Sequence, residues 1–336
     1  MSAEEAHWIA EEVHHVDDPS SGLRAFIVLH STALGPAFGG IRCKSYANDA
    51  DAEQDATGLA EAMSWKCALA GLGGGGKATV RADRIKDRHA AFAALGEFVE
   101  SLGGRFMTAG DYGTTKEDLG VLCSRSRFVA DEEKTGDLAA ASAVGLVAAM
   151  EAVAERLGAS HLSELSISVQ GLGTIGGGLV RALSALGAIP VVADPDERAV
   201  RAIVEDCDVR VVRPEALLSE KVDLFAPCAM GGVLDLHAAR HLSARAVVSG
   251  ANRTLQGRDA GEILWQRGVL FPPDFVTNAG AVIRGAFQML HGQPATDEEI
   301  RKIGARVHSI LDEAETHDET PEAVALRRAQ KRIQQS

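Results

Sequence analysis

A glycine-rich turn between a β-type run and a helical run most restricts what this chain can fold into. Residues 166–170 (SISVQ) have a β-type pattern, and Gly171, Gly173 and Gly176 follow as G-x-G-x-x-G at the start of a helical run. The first glycine permits a tight turn, the second lets a pyrophosphate approach the backbone, and the third lets helix and strand pack closely. This context predicts a dinucleotide-binding βαβ unit. The alternative is a glycine-rich turn of an α/β fold that binds nothing.

An acidic residue supports the dinucleotide interpretation. Asp194 ends the next β-type run, 23 residues after Gly171. A carboxylate at that position accepts hydrogen bonds from a ribose 2′-hydroxyl, whereas a 2′-phosphate would be repelled by Asp194 and Asp196. We therefore expect NAD rather than NADP. The pyrophosphate of NAD is expected at the N-terminus of the helix that begins with Thr174 and Ile175.

The 336 residues suggest about two domains. In the second half, short β-branched runs alternate with helical stretches, which predicts a parallel sheet covered on both faces. The candidate strands there are residues 166–170, 189–193, 209–212, 222–226, 245–249 and 269–271. In the first half we expect strands at 23–30, 77–82 and 105–109 and helices at 48–70 and 90–102. A long helix at 138–157 separates the halves, and helices follow the Thr296 capping box and Thr320-Pro321.

Composition excludes several function classes. The 34 basic against 47 acidic side chains give a net charge of −13, which disfavours nucleic acid or an anionic membrane as partner. The five cysteines form no C-x-x-C pair, so we expect neither a disulfide framework nor a zinc site, but a protein of the reducing cytoplasm. The acidic N-terminus predicts no signal peptide, and no run of about 18 apolar residues is evident. His237 and His241 are spaced i, i+4 without a third ligand nearby, so no metal is expected.

A second glycine cluster, GLGGGGKA at residues 71–78, imitates a P-loop but ends in alanine. A P-loop needs a hydroxyl for Mg²⁺ and a helix after its lysine, whereas Lys77 is followed by a strand-like run. A surface turn with a solvated lysine is the second possibility, and a catalytic lysine is the third. Lys66 lies 11 residues earlier in an almost apolar run, so the two lysines form a plausible pair for a carboxylate and for proton transfer. Asp111 is either their acidic partner or a turn-forming residue.

With these residues identified, the chain resembles the Glu/Leu/Phe/Val dehydrogenase family over nearly its whole length. It is most similar to the leucine and phenylalanine dehydrogenases. The stretches that carry the resemblance, in chain order, are LGPAFGGIR, AMSWKCALAGLGGGGKATV, RFMTAGDYGTT, ASAVGLVAAMEA, VQGLGTIGGGL, FAPCAMGGVL, SGAN and PPDFVTNAGAVI.

The resemblance implies a role for each member of the predicted site. Lys66 holds the substrate carboxylate, Lys77 polarises the carbonyl and activates water, and Asp111 handles protons at the amino group. Asn252 lies near nicotinamide and substrate, and further cofactor contacts are expected from Ser142, Cys228, Ala229 and Asn278. The substrate pocket is expected from Phe38, Gly39, Ala109, Val282 and Gly285. Phe38 stands where glutamate-specific relatives have a lysine, which predicts an apolar, preferably aromatic, substrate.

The resemblance also implies an architecture and an activity. We expect a substrate-binding and oligomerisation domain (1–135), a Rossmann NAD-binding domain (136–285) and C-terminal helices (286–336) that return to the first domain. The expected activity is NAD-dependent, reversible oxidative deamination of an apolar L-amino acid to the 2-oxo acid and ammonia, by a homo-oligomer. Departures from the family pattern at Ser142, Arg253 and Ala281 leave the alternative of an inactive NAD-binding regulator of the same fold. A glutamate-type dehydrogenase is a further alternative.

Overall fold

The computed structural model describes residues 9–229 and 231–336. The acidic start of the chain, from which no signal peptide was expected, and Met230 of the FAPCAMGG stretch lie outside the described residues. The chain forms two compact units. The first holds the described residues up to Gly136 together with Gly285–Pro294 and Arg328–Ser336, and the second holds Asp137–Arg284 and Ala295–Arg327.

The first unit contains a mixed five-stranded sheet in the order β1-β2-β4-β3-β5. The two pairings that involve β2 are antiparallel, and the two that involve β3 are parallel. The strands are β1 (Glu12–Asp18), β2 (Leu23–Ser31), β3 (Ala37–Lys44), β4 (Gly74–Arg81) and β5 (Phe106–Gly110).

Helices cover both faces of this sheet. They are α1 (Asp49–Ala70), α2 (Arg88–Ser101), α3 (Lys116–Arg125) and the short α4 (Glu132–Thr135). Alternate residues of β4 point to opposite faces, so Ala78 and Val80 join the apolar core with Phe92 of α2. The other face lies under α1, where the Thr79 hydroxyl donates to the Ala52 carbonyl at 2.9 Å. As expected, Asn48 caps α1.

The glycine cluster is part of a strand, not a loop before it. β4 begins at Gly74. Within this strand, the backbone of Gly75 lies so close to α1 that an added Cβ would lie 2.0 Å from the Ser64 nitrogen. The sequence analysis also missed β3, which is rich in glycine, and β1, which is rich in charged residues. Such strands lack the apolar pattern on which strand prediction depends.

The second unit contains a five-stranded parallel sheet in the order β10-β9-β6-β7-β8. Numbered from β6 within this unit, the order is 3-2-1-4-5, the doubly wound arrangement typical of dinucleotide-binding domains. The candidate strand at 269–271 is reduced to an isolated bridge between Leu270 and Ala246. The strands are β6 (Ile167–Gln170), β7 (Val191–Ala193), β8 (Arg210–Val211), β9 (Leu224–Pro227) and β10 (Ala246–Val247).

The remaining helices belong wholly or partly to the second unit. Two of them, α11 (Gly280–His291) and α13 (Pro321–Gln334), contain a unit boundary. The others are α5 (Leu138–Arg156), α6 (Thr174–Ala185), α7 (Glu197–Asp206), α8 (Leu236–His241), α9 (Arg258–Gln266), α10 (Asp274–Thr277) and α12 (Asp297–His317). The expected capping box at Thr296 and Glu299 is present.

The expectation that residues 286–336 all return to the first domain is wrong. α12 packs on α5 within the second unit, and an added Cβ on Gly304 would lie 2.9 Å from the Ala148 carbonyl oxygen. The apolar face of α12, with Ile303 and Val307 fully buried, fits this small-residue surface of α5. Only Gly285–Pro294 and Arg328–Ser336 belong to the first unit.

One stretch of the described residues, Glu133–Arg156, is long enough to cross a membrane and contains an 18-residue window that is apolar enough, with a mean hydropathy of 1.6. The sequence analysis overlooked it because its alanines and glycine are interspersed with polar residues. Of its most apolar window, 67% is buried inside the protein, as in a core helix. All five cysteines are free thiols.

Candidate active site

A buried ion pair forms the centre of the candidate site. Lys77 of β4 and Asp111, which directly follows β5, lie with Nζ and Oδ2 2.8 Å apart. The Lys77 side chain is only 8% exposed and that of Asp111 29% exposed. Lys77 is followed by further residues of strand β4 and not by a helix, which excludes the P-loop arrangement. The Lys77 side chain is buried, which excludes a solvated surface turn.

Burial and charge act on this pair in opposite directions. Burial lowers the pKa of Lys77, while the charge and hydrogen bond of Asp111 raise it, and the net shift is downward. Burial raises the pKa of Asp111, but the charge and hydrogen bond of Lys77 and the charge of Arg42 outweigh it, so the pKa falls to about 2. The site therefore holds a stable carboxylate beside an amine that loses its proton more readily than a solvated lysine.

Sequence reasoning missed two charged members of this site, Arg42 and Asp55. Arg42 of β3 donates from Nε to Asp111 Oδ2 at 3.0 Å, and its Nη1 lies 3.3 Å from Asp55 Oδ2 of α1. The signal was present, because Arg42 belongs to the GGIR stretch that carries the family resemblance. Its place could be found only by knowing that GGIR is a strand, since alternation puts Arg42 on the α1 face.

Lys66 lies near the end of α1 and is buried, with 7% of its surface exposed. Gly75 of β4 lies close to Ser64 of α1. Lys77 lies two residues after Gly75 on β4, and Lys66 lies two residues after Ser64 on α1. The structure thus brings both lysines to the packing interface of α1 and β4, although 10 residues separate them in the chain.

Phe38 and Ala109 share the α1 face of the sheet with Lys77. Phe38 is 4% exposed in β3, and Gly40, two residues on, pairs with Ala109 of β5. Gly39 lies on the opposite face, where an added Cβ would be 1.7 Å from the Gly76 carbonyl oxygen. The requirement for glycine at position 39 is therefore explained by strand packing.

In the second unit, the G-x-G-x-x-G turn fits a pyrophosphate. Gly171 has φ +88°, and an added Cβ on Gly176 would lie 1.8 Å from the Gly171 carbonyl oxygen, so the turn and the helix need both glycines. Gly173, the N-cap of α6, has no atom within 4 Å of an added Cβ and no side chain that caps the helix. The turn therefore leaves open space beside the first N–H groups of α6, those of Thr174 and Ile175.

The Asp194 carboxylate is oriented by the turn itself. Oδ2 accepts from the Leu172 N–H at 2.6 Å, and Oδ1 accepts from the Asp196 N–H at 2.7 Å. Because a carboxylate has about four acceptor positions, it retains acceptors for ribose hydroxyls.

Two further predicted cofactor residues, Cys228 and Ala229, lie against this turn. An added Cβ on Gly171 would lie 2.8 Å from the Ala229 Cβ, and one on Gly176 would lie 3.1 Å from the Cys228 Cβ. Burial raises the pKa of the Cys228 thiol to about 12, so it is not a reactive thiolate.

Two asparagines and a serine complete the predicted set in this unit. The Asn278 amide donates to Asn252 Oδ1 at 2.9 Å and to the Ala251 carbonyl at 3.0 Å. Ser142 donates its hydroxyl proton to the Leu138 carbonyl of its own helix, which leaves Ser142 only as an acceptor for other groups.

The remaining pocket candidates lie on α11, with Val282 and Gly285 three residues apart on one helix face. Their neighbour Arg284 pairs with Asp297 of α12. On α8, the rings of His237 and His241 are 4.3 Å apart, and His241 Nδ1 lies 2.8 Å from the His237 carbonyl oxygen.

Two family models match the chain. The model of the Glu/Leu/Phe/Val dehydrogenase dimerisation domain matches residues 7–127, and that of glutamate/leucine/phenylalanine/valine dehydrogenase matches residues 193–335. Leucine dehydrogenase of Bacillus subtilis is 33% identical over 96% of this chain and 91% of its own length. Valine dehydrogenase of Streptomyces albus is 41% identical over 84% of this chain and 80% of its own length, and phenylalanine dehydrogenases are also among the relatives.

Among solved structures, L-tryptophan dehydrogenase from Nostoc punctiforme superimposes with a TM-score of 0.83 and 30% identity. The match covers 97% of this chain and 96% of that one. The predicted family and the predicted two-domain α/β fold are therefore confirmed.

Proposed function

Because this chain belongs to the Glu/Leu/Phe/Val dehydrogenase family, whose members are amino acid dehydrogenases, we propose that it is an NAD-dependent L-amino-acid dehydrogenase. It converts an apolar L-amino acid and water reversibly into the 2-oxo acid and ammonium. The observation that carries this proposal is the buried pair of Lys77 and Asp111, on the sheet face that also bears Phe38.

The lysines and the aspartate divide the work on the substrate. Lys66, buried near the end of α1, binds the substrate carboxylate. Lys77 in its neutral form takes a proton from the water that attacks the imine carbon, and as an ammonium it then stabilises the carbinolamine oxygen. The lowered pKa of Lys77 supports this exchange. Asp111, 2.8 Å from Lys77, exchanges protons with the substrate nitrogen, so that the amino group of the carbinolamine is protonated before the C–N bond breaks and ammonia leaves.

The second unit supplies the cofactor site. Open space at Gly173, free N–H groups at the start of α6 and the Asp194 carboxylate fit NAD, because this carboxylate would repel the 2′-phosphate of NADP. We assign further cofactor contacts to Ser142, Cys228, Ala229, Asn252 and Asn278. NAD, when bound, accepts the hydride from the substrate α-carbon and so makes the deamination an oxidation.

The pocket favours an apolar side chain. The residues that we assign to the substrate side chain, Phe38, Ala109, Val282 and Gly285, carry no charge, so we expect an unpaired glutamate carboxylate to cost several kcal/mol. The guanidinium of Arg284, next to Gly285 on α11, is bound to Asp297. A ring stacked on Phe38 gains about 0.5–1.5 kcal/mol beyond burial, so aromatic substrates should precede leucine and valine modestly.

We propose that the first domain (1–135) also assembles the protein into a homo-oligomer, since the matching family model describes a dimerisation domain. We place the protein in the cytoplasm, where free thiols persist.

The deciding experiment follows NADH formation with NAD and a panel of amino acids, and its consumption with 2-oxo acids and ammonium. The proposal expects turnover, with kcat/KM in the order phenylalanine or tryptophan, then leucine and valine, then glutamate. Tight NAD binding without turnover in either direction would instead identify an inactive regulator. Glutamate in first place would overturn the pocket assignment, whereas leucine ahead of phenylalanine would overturn only the aromatic preference.

A further inference from the structure

Arg42 bridges two carboxylates on the α1 face of the first sheet. Its Nε donates to Asp111 Oδ2 at 3.0 Å, and its Nη1 lies 3.4 and 3.3 Å from the two Asp55 oxygens. The side chains of Arg42 and Asp55 are only 22% and 16% exposed. A guanidinium shared in this way, and largely shielded from water, has little freedom to reorient.

The backbone fixes the turn that carries Asp111 on both sides of Arg42. Thr114 donates its hydroxyl to the carbonyl of Ile41, and the N–H of Cys43 donates to the carbonyl of Tyr112 at 2.9 Å. The residues before and after Arg42 thus bind Thr114 and Tyr112, two residues of the turn that follows Asp111. The separation of Arg42 and Asp111 is therefore set by the backbone as well as by their side chains.

Asp55 is itself held in place and kept charged. It accepts from the Tyr46 hydroxyl at 2.8 Å and lies 3.3 Å from Lys44 Nζ. Burial raises the pKa of Asp55, but the Tyr46 hydrogen bond and the charges of Arg42 and Lys44 outweigh it, so the pKa is lowered. Arg42 therefore has a permanent anion behind it on α1.

From this geometry we propose that Arg42 and Asp55 are positioning residues for the reaction: Asp55 holds Arg42, and Arg42 holds the Asp111 carboxylate in register with Lys77. The inference rests on the proposed function, because it gives Asp111 and Lys77 their task. Neither Arg42 nor Asp55 is assigned contact with the substrate.

The arrangement has an electrostatic signature that a structural role alone lacks. The charge of Arg42 lowers the pKa of Lys77, and the charge of Asp55 raises it. Removing Arg42 should therefore raise the Lys77 pKa, and removing Asp55 should lower it. Asp111, which also acts on Lys77, is retained in both variants, as are Lys44 and Tyr46 beside Asp55 and the buried Lys66 on α1.

The first measurement is the pH profile of kcat/KM for deamination in the variants Arg42→Gln and Asp55→Asn. Because Lys77 acts as a neutral base, the acidic limb reports its deprotonation. We expect the limb to move up by about 0.5–1 pH unit in Arg42→Gln and down by a similar amount in Asp55→Asn. In both variants kcat should fall about tenfold or more, because the carboxylate is misoriented, with a smaller change in KM.

Two controls separate charge, orientation and general damage. Arg42→Lys keeps the charge but not the planar fork, so it should restore the acidic limb while kcat remains low. Arg24→Gln removes a comparable pair, between Arg24 of β2 and Asp49 of α1 at 2.9 Å, and should leave limb and kcat unchanged. Shifts in the same direction, or none, in correctly folded Arg42→Gln and Asp55→Asn would overturn the inference.

A second measurement does not depend on turnover. The Lys77 side-chain nitrogen of isotope-labelled protein is assigned with Lys77→Met and titrated by NMR in each variant, with the same opposed shifts expected. If the wild type turns over no amino acid, the proposed function fails, and so does the inference that depends on it, even if the shifts are opposed. If the wild type is active but the Lys77 titration does not respond, the positioning role alone is wrong.

Discussion

Lys77 Nζ and Asp111 Oδ2 lie 2.8 Å apart although β5 and a whole helix separate the two residues in the chain. The contact exists because β4 and β5 flank β3 in the sheet, and Gly40 of β3 puts no side chain between Lys77 and Asp111 on the α1 face. The order of the strands in the first sheet therefore brings the Asp111 carboxylate next to the Lys77 amine.

Removing either member of this pair should abolish turnover without loss of NAD binding. Lys77→Met and Asp111→Asn should each lower kcat/KM for the best substrate by about 10²–10⁴-fold, the usual contribution of a group that transfers protons. NAD affinity, measured by fluorescence quenching, should stay within twofold of wild type, about 0.4 kcal/mol, since the dinucleotide turn lies in the other unit. Substantial activity in Lys77→Met would contradict the assignment of the base.

Stability at acid pH should depend on Asp111. Its pKa of about 2 in the folded protein lies below the ordinary value of 3.8, so its stabilising contribution is complete above about pH 5 and is lost as the pH falls through 2. That contribution is about 2 kcal/mol, of which about 1 kcal/mol is lost by pH 3. Urea unfolding should show the gap between wild type and Asp111→Asn narrowing from pH 7 to pH 3. A gap that widens or stays constant would contradict the shift.

Gly173→Ala should separate cofactor binding from folding. Its φ of −65° suits any residue and an added Cβ meets no atom, so the free energy of unfolding should not fall. The methyl group would occupy the space that a pyrophosphate needs, so NAD affinity should fall tenfold or more, about 1.4 kcal/mol. The matched variant Gly176→Ala should lose stability as well, because its Cβ would lie 1.8 Å from a carbonyl oxygen. Unchanged NAD affinity in Gly173→Ala would remove this turn from the cofactor site.

The packing of α1 on β4 should depend on Gly75. In Gly75→Ala the new Cβ would lie 2.0 Å from the Ser64 nitrogen and 2.5 Å from the Met63 carbonyl carbon, both backbone atoms. We expect a loss of about 3 kcal/mol or more in unfolding free energy. Gly120→Ala, inside α3 with no atom near its Cβ, should instead gain about 0.5–1 kcal/mol. Equal effects of Gly75→Ala and Gly120→Ala on the free energy of unfolding would show that α1 and β4 are not tightly packed at Gly75.

Arg253 should be a strained position. Its φ is +52°, a left-handed conformation that asparagine tolerates and arginine rarely adopts. Because asparagine adopts this conformation at a lower cost, Arg253→Asn should raise the unfolding free energy by about 1 kcal/mol. Arg253→Lys keeps the Cβ and the charge and should give no gain. A gain in the lysine variant would mean that strain is not the cause.

Sequence patterns predicted the second unit well because each element there is local. The turn at Gly171, the carboxylate at Asp194 and the cap at Thr296 are read from neighbours within a few residues. Lys66, Lys77 and Asp111 were predicted as site residues because an almost apolar run and a family resemblance mark them. Their mutual contacts could not be derived from either.

The missed features depend on contacts between distant segments. β3 was missed because its glycines serve close strand packing and carry no apolar signal, and without β3 the place of Arg42 could not be known. Its partner Asp55 looks like an ordinary acidic residue on a helix until the sheet is assembled. α12 was assigned to the wrong unit because an amphipathic helix indicates that it packs, but not on which partner.

The division of the chain has a consequence for chimeras between relatives. The backbone passes between the units after Gly136, Arg284, Pro294 and Arg327, and two of these crossover points fall inside α11 and α13. A single swap at residue 136 would therefore transplant Gly285–Pro294 and Arg328–Ser336 from one parent onto the sheet of another. The guanidinium of Arg332, which donates to the Ala68 carbonyl at the end of α1 at 2.7 Å, would then face a foreign helix. Functional recombinants should be those in which these two short C-terminal segments are inherited together with the N-terminal sheet.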